Sequence, residues 1–340
     1  MQGRARNTIL FVLLIVVLLL LALLSFLLGS VAIPLADIKA YFMGGNFTDE
    51  VNLAILQNFR MPKVVSALLA GSALSVSGLQ MQTVFRNPLA GPYVLGISSG
   101  ASLGVALVLM GSSAFGLSSW GSQVGTVVAA LVGSLLVLML ILAVSVRVRD
   151  ILTLLILGMM FGTAVSAVTS LLQYFGSETS LKNFVIWTMG SLGGVGRQQL
   201  WFYAVLVMLG LVLAWMYVRP LNVLGIGDTY ARSLGFNLKK TRFLVFLSTS
   251  LLAGTTTAFN GPIAFVGIAV PHLARMVFRT SNHAILVPAS ALAGAATLLL
   301  CDIIAQLPGS ATVLPLNSVA SLMGIPVVVY IVLKNKRVVG

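Results

Sequence analysis

RNPLAGPYVLGISSGA, residues Arg86–Ala101, and NGPIAFVGIAVPHLAR, residues Asn260–Arg275, place glycine and proline between long apolar runs, one stretch in each half of the chain. Such residues break helices, and in hydrocarbon an open backbone carbonyl or amide is tolerated only where protein buries it or where it lines an aqueous cavity. A matched pair of breaks is the sequence mark of a transport pathway built from internal repeats. The flanking runs therefore have to be membrane helices, and the rest of the sequence tests that.

Hydrophobic residues make up 59% of the chain and charged residues 8%, with a mean hydropathy of +1.06. Ordinary globular domains carry roughly 25% charge, so lipid is the expected solvent. Ile9–Leu28 is an unbroken apolar run, long enough at about 1.5 Å per residue to cross a core of about 30 Å. Ser30-Val31-Ala32 has the small-x-small form of a cleavage site, but Ile33-Pro34 follow and the run is too long for a signal peptide, so the first helix is read as retained. Nine further runs fall at 64–84, 93–110, 120–145, 151–175, 199–218, 241–259, 262–278, 285–306 and 316–333. Pro262 and Pro271 make 262–278 the weakest of these.

Charge orients the ten spans. With both termini cytoplasmic, the inner segments hold Arg4, Arg6, Arg86, Arg147, Arg149, Arg219, Arg232, Lys239, Lys240, Arg242, Arg275, Arg279, Lys334, Lys336 and Arg337, which is 15 of the 20 basic residues. Lys39, Arg60, Lys63, Lys182 and Arg197 remain outside with Asp37, Asp49, Glu50 and Glu178. The positive-inside rule selects this topology, and miscounting by one helix would destroy the segregation. The net charge of +13 is thus a topology signal and not a nucleic-acid footprint.

Missing chemistry narrows the function. The chain has no GxxxxGK[ST] phosphate loop and so cannot hydrolyse nucleotide by that route. Its single cysteine, Cys301, falls within an apolar span and reads as a small buried hydrophobe. Asp302, near the outer end of its span, is the one carboxylate in the runs. It reads as a structural residue bonded to backbone or an interface partner, with a proton site as the alternative. His272, after Pro271, reads as a hydrogen-bonding residue at a helix end, and no second ligand stands at metal spacing from it. No cofactor is expected. Within 219–240, a short helical pattern at Asp228–Leu234 is framed by Gly225, Gly227 and Gly235 and reads as a docking knob or as an ordinary solvated connection.

The chain resembles the FecCD-type permeases of ATP-binding-cassette importers for iron-siderophores, haem and cobalamin, over nearly all of its length from Arg60 onward. The resemblance is carried by Arg60-Met-Pro-Lys63, Ser77-Gly78, Gln82, RNPLAGPYVLGISSGA, Trp187-Thr-Met-Gly190, Arg219-Pro220 with GIGDTYARSLGFN, GPIAFVGIAVPHLAR, Asp302 and LPLNSVASLMGIPVVVY. It implies an all-α, type II importer permease of ten transmembrane helices in one domain over 1–340, with an inverted internal repeat relating helices 2–5 to helices 7–10. The implied assembly is two permease subunits, a homodimer by expectation, with cytosolic ATPases below, a periplasmic or lipid-anchored binding protein above and inner-membrane lipid around them. The permease itself is expected to be no enzyme.

The same resemblance implies roles for residues. Arg60 and Lys63 would meet acidic residues of the binding protein. Asn87 and Leu89 would form the cytoplasmic gate. Gly227, Asp228, Ala231, Arg232, Leu234 and Gly235 would couple to the ATPase, with 219–240 as the coupling loop. Trp187 would line the outer mouth on a short helix within 176–198. Gln306 stands where the family has a further basic docking position. The expected cargo is an iron-siderophore or haem, with cobalamin as the alternative; an ion-coupled secondary transporter using Asp302 is the competing class.

Overall fold

The computed structural model describes residues 2–29, 31, 33–45, 47, 49–111, 123–148, 150–306 and 312–336. Ser30 and Ala32 of the cleavage-like triplet, and the cations Arg149 and Arg337, lie outside the described residues. Among the described residues there are helices and no strands. Ten of the helices match the ten apolar runs: α1 (Gln2–Leu27), α4 (Met61–Val84), α5 (Ile97–Gly111), α6 (Gln123–Arg147), α7 (Ile151–Phe175), α9 (Arg197–Met216), α12 (Leu238–Asn260), α13 (Val266–Phe278), α14 (His283–Ala305) and α15 (Leu316–Lys336). Five short helices lie between them: α2 (Leu35–Met43), α3 (Glu50–Ile55), α8 (Glu178–Thr188), α10 (Val218–Ile226) and α11 (Asp228–Ser233).

Seven of the helical stretches are long and apolar enough to cross a bilayer unaided. α13, with 13 residues, is too short for that. At about 1.5 Å per residue it reaches only about 20 Å, so it crosses only together with the broken segment before it. The described part of α5 has 15 residues and stops where the described residues stop. The interruption after α4 runs through a single 3₁₀ turn, Pro92–Leu95. The interruption after α12 runs from Gly261 to Phe265, both at positive φ. The run read as 262–278 therefore becomes helical only at Val266. Pro271 does not break α13, contrary to the sequence reading, and His272 lies within the helix and not at its end. The donor that Pro271 lacks would have met the carbonyl of Gly267, and that carbonyl instead abuts Gly78 of α4.

The polar connection read at 29–63 is largely helical. α3 passes into α4 through a π turn at Leu56–Arg60, just before Pro62. The widened turn absorbs the N–H that proline cannot supply.

The packing displays the inverted repeat. α4 lies against α13 and α14, while α12 lies against α5 and α6, and α4 and α12 touch each other. Likewise α5 packs on α6 and α7 as α13 packs on α14 and α15. Exchanging the two sets of four helices reproduces the list. α4 and α12 are the buried axis, because small and hydroxyl residues let them approach their neighbours closely. Ser75 Oγ donates to the Ser290 carbonyl at 2.6 Å, and Ser72 Oγ donates to that of Ala291 at 3.0 Å. Gln80 is satisfied across the axis, giving a bond of 3.0 Å to Ser248 and taking one of 2.9 Å from Thr249. α1 sits outside this core, with Ile9, Leu13 and Leu19 exposed along it, as a helix facing lipid would be.

Candidate functional site

Each broken segment meets a short helix at its own end of the bundle. At one end α4 stops at Phe85, and Arg86 adopts φ 49°, a left-handed conformation uncommon for a residue with a side chain. Asn87 then folds the chain back. Its Oδ1 accepts from the Leu89 amide at 2.9 Å, while its carbonyl accepts from the Ala90 amide at 3.1 Å. The amide-side-chain turn leaves Leu89 projecting, 40% exposed. Asn87 thus shapes the turn, and Leu89 is the apolar tip it presents.

α11 stands beside this turn. Asp228 opens it and accepts from Arg86 Nη2 at 3.1 Å and from Arg242 Nη2, on α12, at 2.5 Å. Gly227 (φ 151°) and Gly235 (φ 79°) flank the helix where a side chain would be strained. At its far end the Phe236 amide reaches the Ala231 carbonyl and the Gly235 amide that of Arg232, the paired bonds of a glycine-terminated helix. Ala231 is buried, whereas Ile226, Tyr230 and Leu234 are exposed, and Arg232 is exposed beside them. The segment is a knob with an outward apolar face.

A second, buried set of bonds joins α10 to the end of α4. Asn222 Oδ1 accepts from the His283 backbone amide at 2.7 Å and lies the same distance from His283 Nδ1, while His283 Nε2 is 2.7 Å from Thr83 Oγ1. Arg275 donates to Gln82 Oε1 at 2.6 Å, and Gln82 donates onward to the Ile268 carbonyl at 2.9 Å.

At the opposite end, Trp187 of α8 is half-buried and packs on Phe184 with ring centroids 6.1 Å apart. The carbonyl of Trp187 presses against Gly261, where a Cβ could not fit. The Ser191 amide donates to the Asn260 carbonyl at 2.9 Å. Asn317 ties the same corner to α15: its amide donates to the Met189 carbonyl at 3.0 Å, and its Oδ1 accepts from the Ala264 amide at 2.9 Å. α8 is therefore pinned to the second break much as α11 is to the first.

Lys63 and Asp302 meet at 3.1 Å, and Gln306 donates to the other carboxylate oxygen at 2.7 Å. This is the structural role read for Asp302. Arg60 is 7% exposed, and its guanidinium donates to the carbonyls of Phe26 and Val31. Cys301 is fully buried with its Sγ 3.5 Å from Met323 Sδ. Arg86, Arg242, Asn222 and Asn317 were not singled out from sequence, because their partners are distant along the chain.

The comparisons agree with this geometry. A family model described as the FecCD transport family matches residues 15–334. The vitamin B12 import system permease protein BtuC of Shigella boydii is 36% identical over 298 residues, 87% of this chain and 88% of its own length. That of Salmonella paratyphi A is 37% identical over 281 residues, covering 82% and 83%. Among solved structures, an inward-facing ABC transporter assigned to the metal-chelate type superposes with a TM-score of 0.83 at 30% identity, over 96% of this chain and 99% of that one. PsaBC from Streptococcus pneumoniae, solved with a Fab, shares the fold alone, with a TM-score of 0.58 at 17% identity over 81% and 92%. Two interrupted helices in an inverted repeat, and a family match over nearly the entire length, lead to one conclusion: the chain belongs to the FecCD transport family.

Proposed function

We propose that this permease, the membrane subunit of an ATP-driven importer, carries a bulky metal chelate, an iron-siderophore or haem, inward by alternating access. The observation that carries the reading is the knob formed by the end of α10 and α11, whose Ile226, Tyr230 and Leu234 are exposed and whose Asp228 pairs with Arg86 beside the Asn87–Leu89 turn. Such a face suits a cleft in a cytosolic ATPase, and a turn ending in leucine closes a passage without fixing a charge in it. Gly227, Asp228, Ala231, Arg232, Leu234 and Gly235 form the coupling element, Asn87 and Leu89 the inner gate, and Trp187 part of the outer mouth. The charge segregation supports cytoplasmic termini, and a second copy as the partner subunit rests on the family resemblance. Cobalamin is the second reading, favoured by the vitamin B12 permeases among the relatives.

Lys63, partly exposed at the outer end, is the better-placed cation for docking an acidic binding protein. Arg60 would first have to leave the carbonyls it holds. An ion-coupled mechanism through Asp302 lacks support, since Lys63 and Gln306 occupy its carboxylate. Uptake of radiolabelled ferric hydroxamate, haem and cyanocobalamin by proteoliposomes containing the permease, its ATPase and its binding protein tests the reading and selects the cargo. The double variant Lys63→Glu, Asp302→Asn, which avoids facing two carboxylates across the broken pair, should slow that uptake while insertion stays normal.

A further inference from the structure

The coupling knob and the inner gate are separate segments of sequence, yet one ion pair spans them, and this inference rests on the permease reading and assigns a part within it. α11 is flanked by Gly227 and Gly235, both in conformations that favour glycine, so it can pivot on its neighbours. Its base does not share that freedom. Asn222 on α10, four residues before Ile226, is locked through His283 to Thr83 near the end of α4, and Leu221 and Leu224 of α10 are buried. At the first residue of α11, Asp228 is held between Arg86 and Arg242. Arg86 directly precedes the Asn87–Leu89 turn and is itself in a left-handed conformation, its amide bonded to the Thr83 carbonyl and that of Asn87 to the Gln82 carbonyl, so a pull on its guanidinium acts on strained backbone joined directly to the turn.

We propose that Arg86 is a positioning residue for gating: the Arg86–Asp228 pair transmits displacement of α11 to the Asn87–Leu89 turn, while the Asn222–His283–Thr83 bonds hold the base of the segment in place. Arg242 shares the carboxylate and anchors it to α12, so that motion of α11 relative to α12 is felt at Arg86. The pair is half-exposed, with side-chain exposures of 44% for Arg86 and 28% for Asp228, and an exposed pair adds little to stability. Its removal should therefore spare the fold and disturb the coupling.

The test uses the complete complex in proteoliposomes, with the chelate that the wild type carries among ferric hydroxamate, haem and cyanocobalamin. Arg86→Ala should lower uptake by between about twofold and thirtyfold while ATP hydrolysis and ATPase co-purification persist. Arg86→Lys should restore most of the uptake. Asp228→Asn should reproduce the loss with Arg86 intact, and the double variant should be no worse than the worse single one. Hydrogen exchange across 86–96 should change on ATP addition in the wild type and not in Arg86→Ala. Wild-type uptake by Arg86→Ala, additive losses in the double variant, or loss of the bound ATPase would each overturn the proposal. Absence of ATP-driven uptake in the wild type would instead overturn the permease reading beneath it.

Discussion

Gly78 on α4 and Gly267 on α13 touch backbone to backbone: a Cβ on Gly78 would overlap the Gly267 carbonyl oxygen, and one on Gly267 would come within 2.6 Å of Pro92. Seven residues earlier on α4, about two turns away, Gly71 meets Gly294 of α14 in the same manner. α4 is thereby seated against two helices of the other half, α13 and α14. Substituting Gly78 by valine should cost about 3 kcal/mol or prevent folding, because neither contact is with a flexible side chain. Thermal unfolding followed by tryptophan fluorescence in detergent checks this. Gly193→Ala, at an open position, is the control and should stay within about 0.5 kcal/mol of wild type.

Lys63 and Asp302 form a pair with side-chain exposures of 21% and 6%. Lys63→Met leaves the carboxylate to neutral donors, Gln306 and the nearby Ser25 hydroxyl, and should destabilise the protein by about 2 kcal/mol, less than a fully buried pair because water reaches the ammonium. Adding Asp302→Asn should recover most of the loss, since the uncompensated charge is then gone. Melting of Lys63→Met at the wild-type temperature would show that the pair does not matter to the fold.

Leu89 projects from the inner turn, and the native cysteine, Cys301, is fully buried and gives no background. A Leu89→Cys variant should react with a membrane-impermeant maleimide in inverted vesicles and not in right-side-out ones. Lys182→Cys should show the opposite pattern. Reversal of the two would turn the proposed topology upside down.

Asp150 caps α7, accepting from the Thr153 hydroxyl at 2.7 Å and from its amide at 2.8 Å. The Thr153 hydroxyl first, and then its backbone, hold the carboxyl below its ordinary range. A lowered folded-state value means that the contribution is complete above the ordinary carboxylate value and is lost as pH falls through the folded one. Melting temperatures across the acid range should therefore converge for wild type and Asp150→Ala as pH falls. A gap that stays constant with pH would contradict this.

Much of the fold was legible because lipid imposes simple rules. Long apolar runs gave ten helices, and paired glycine and proline clusters gave both breaks. Proline was over-read in one place: Pro271 was expected to end a helix, yet α13 runs through it because Gly78 accommodates the carbonyl that proline leaves unbonded. The helical content of 29–63 was missed because polar residues at a membrane surface carry weak periodicity. At the site, Asn87 and Leu89 were named by motif resemblance and the short helix at Asp228–Leu234 by its pattern between glycines, and their gating and coupling roles stand as proposals. The bonds from Asp228 to Arg86 and from Asn222 to His283 could not follow, since they join residues 142 and 61 positions apart.

The most direct measurement is uptake of radiolabelled chelate into proteoliposomes, comparing the permease with its ATPase and binding protein against the permease alone. Uptake that requires ATP and both partners, and does not respond to an imposed proton or sodium gradient, is the expected result. Concentrative uptake by the permease alone, driven by such a gradient, would contradict it.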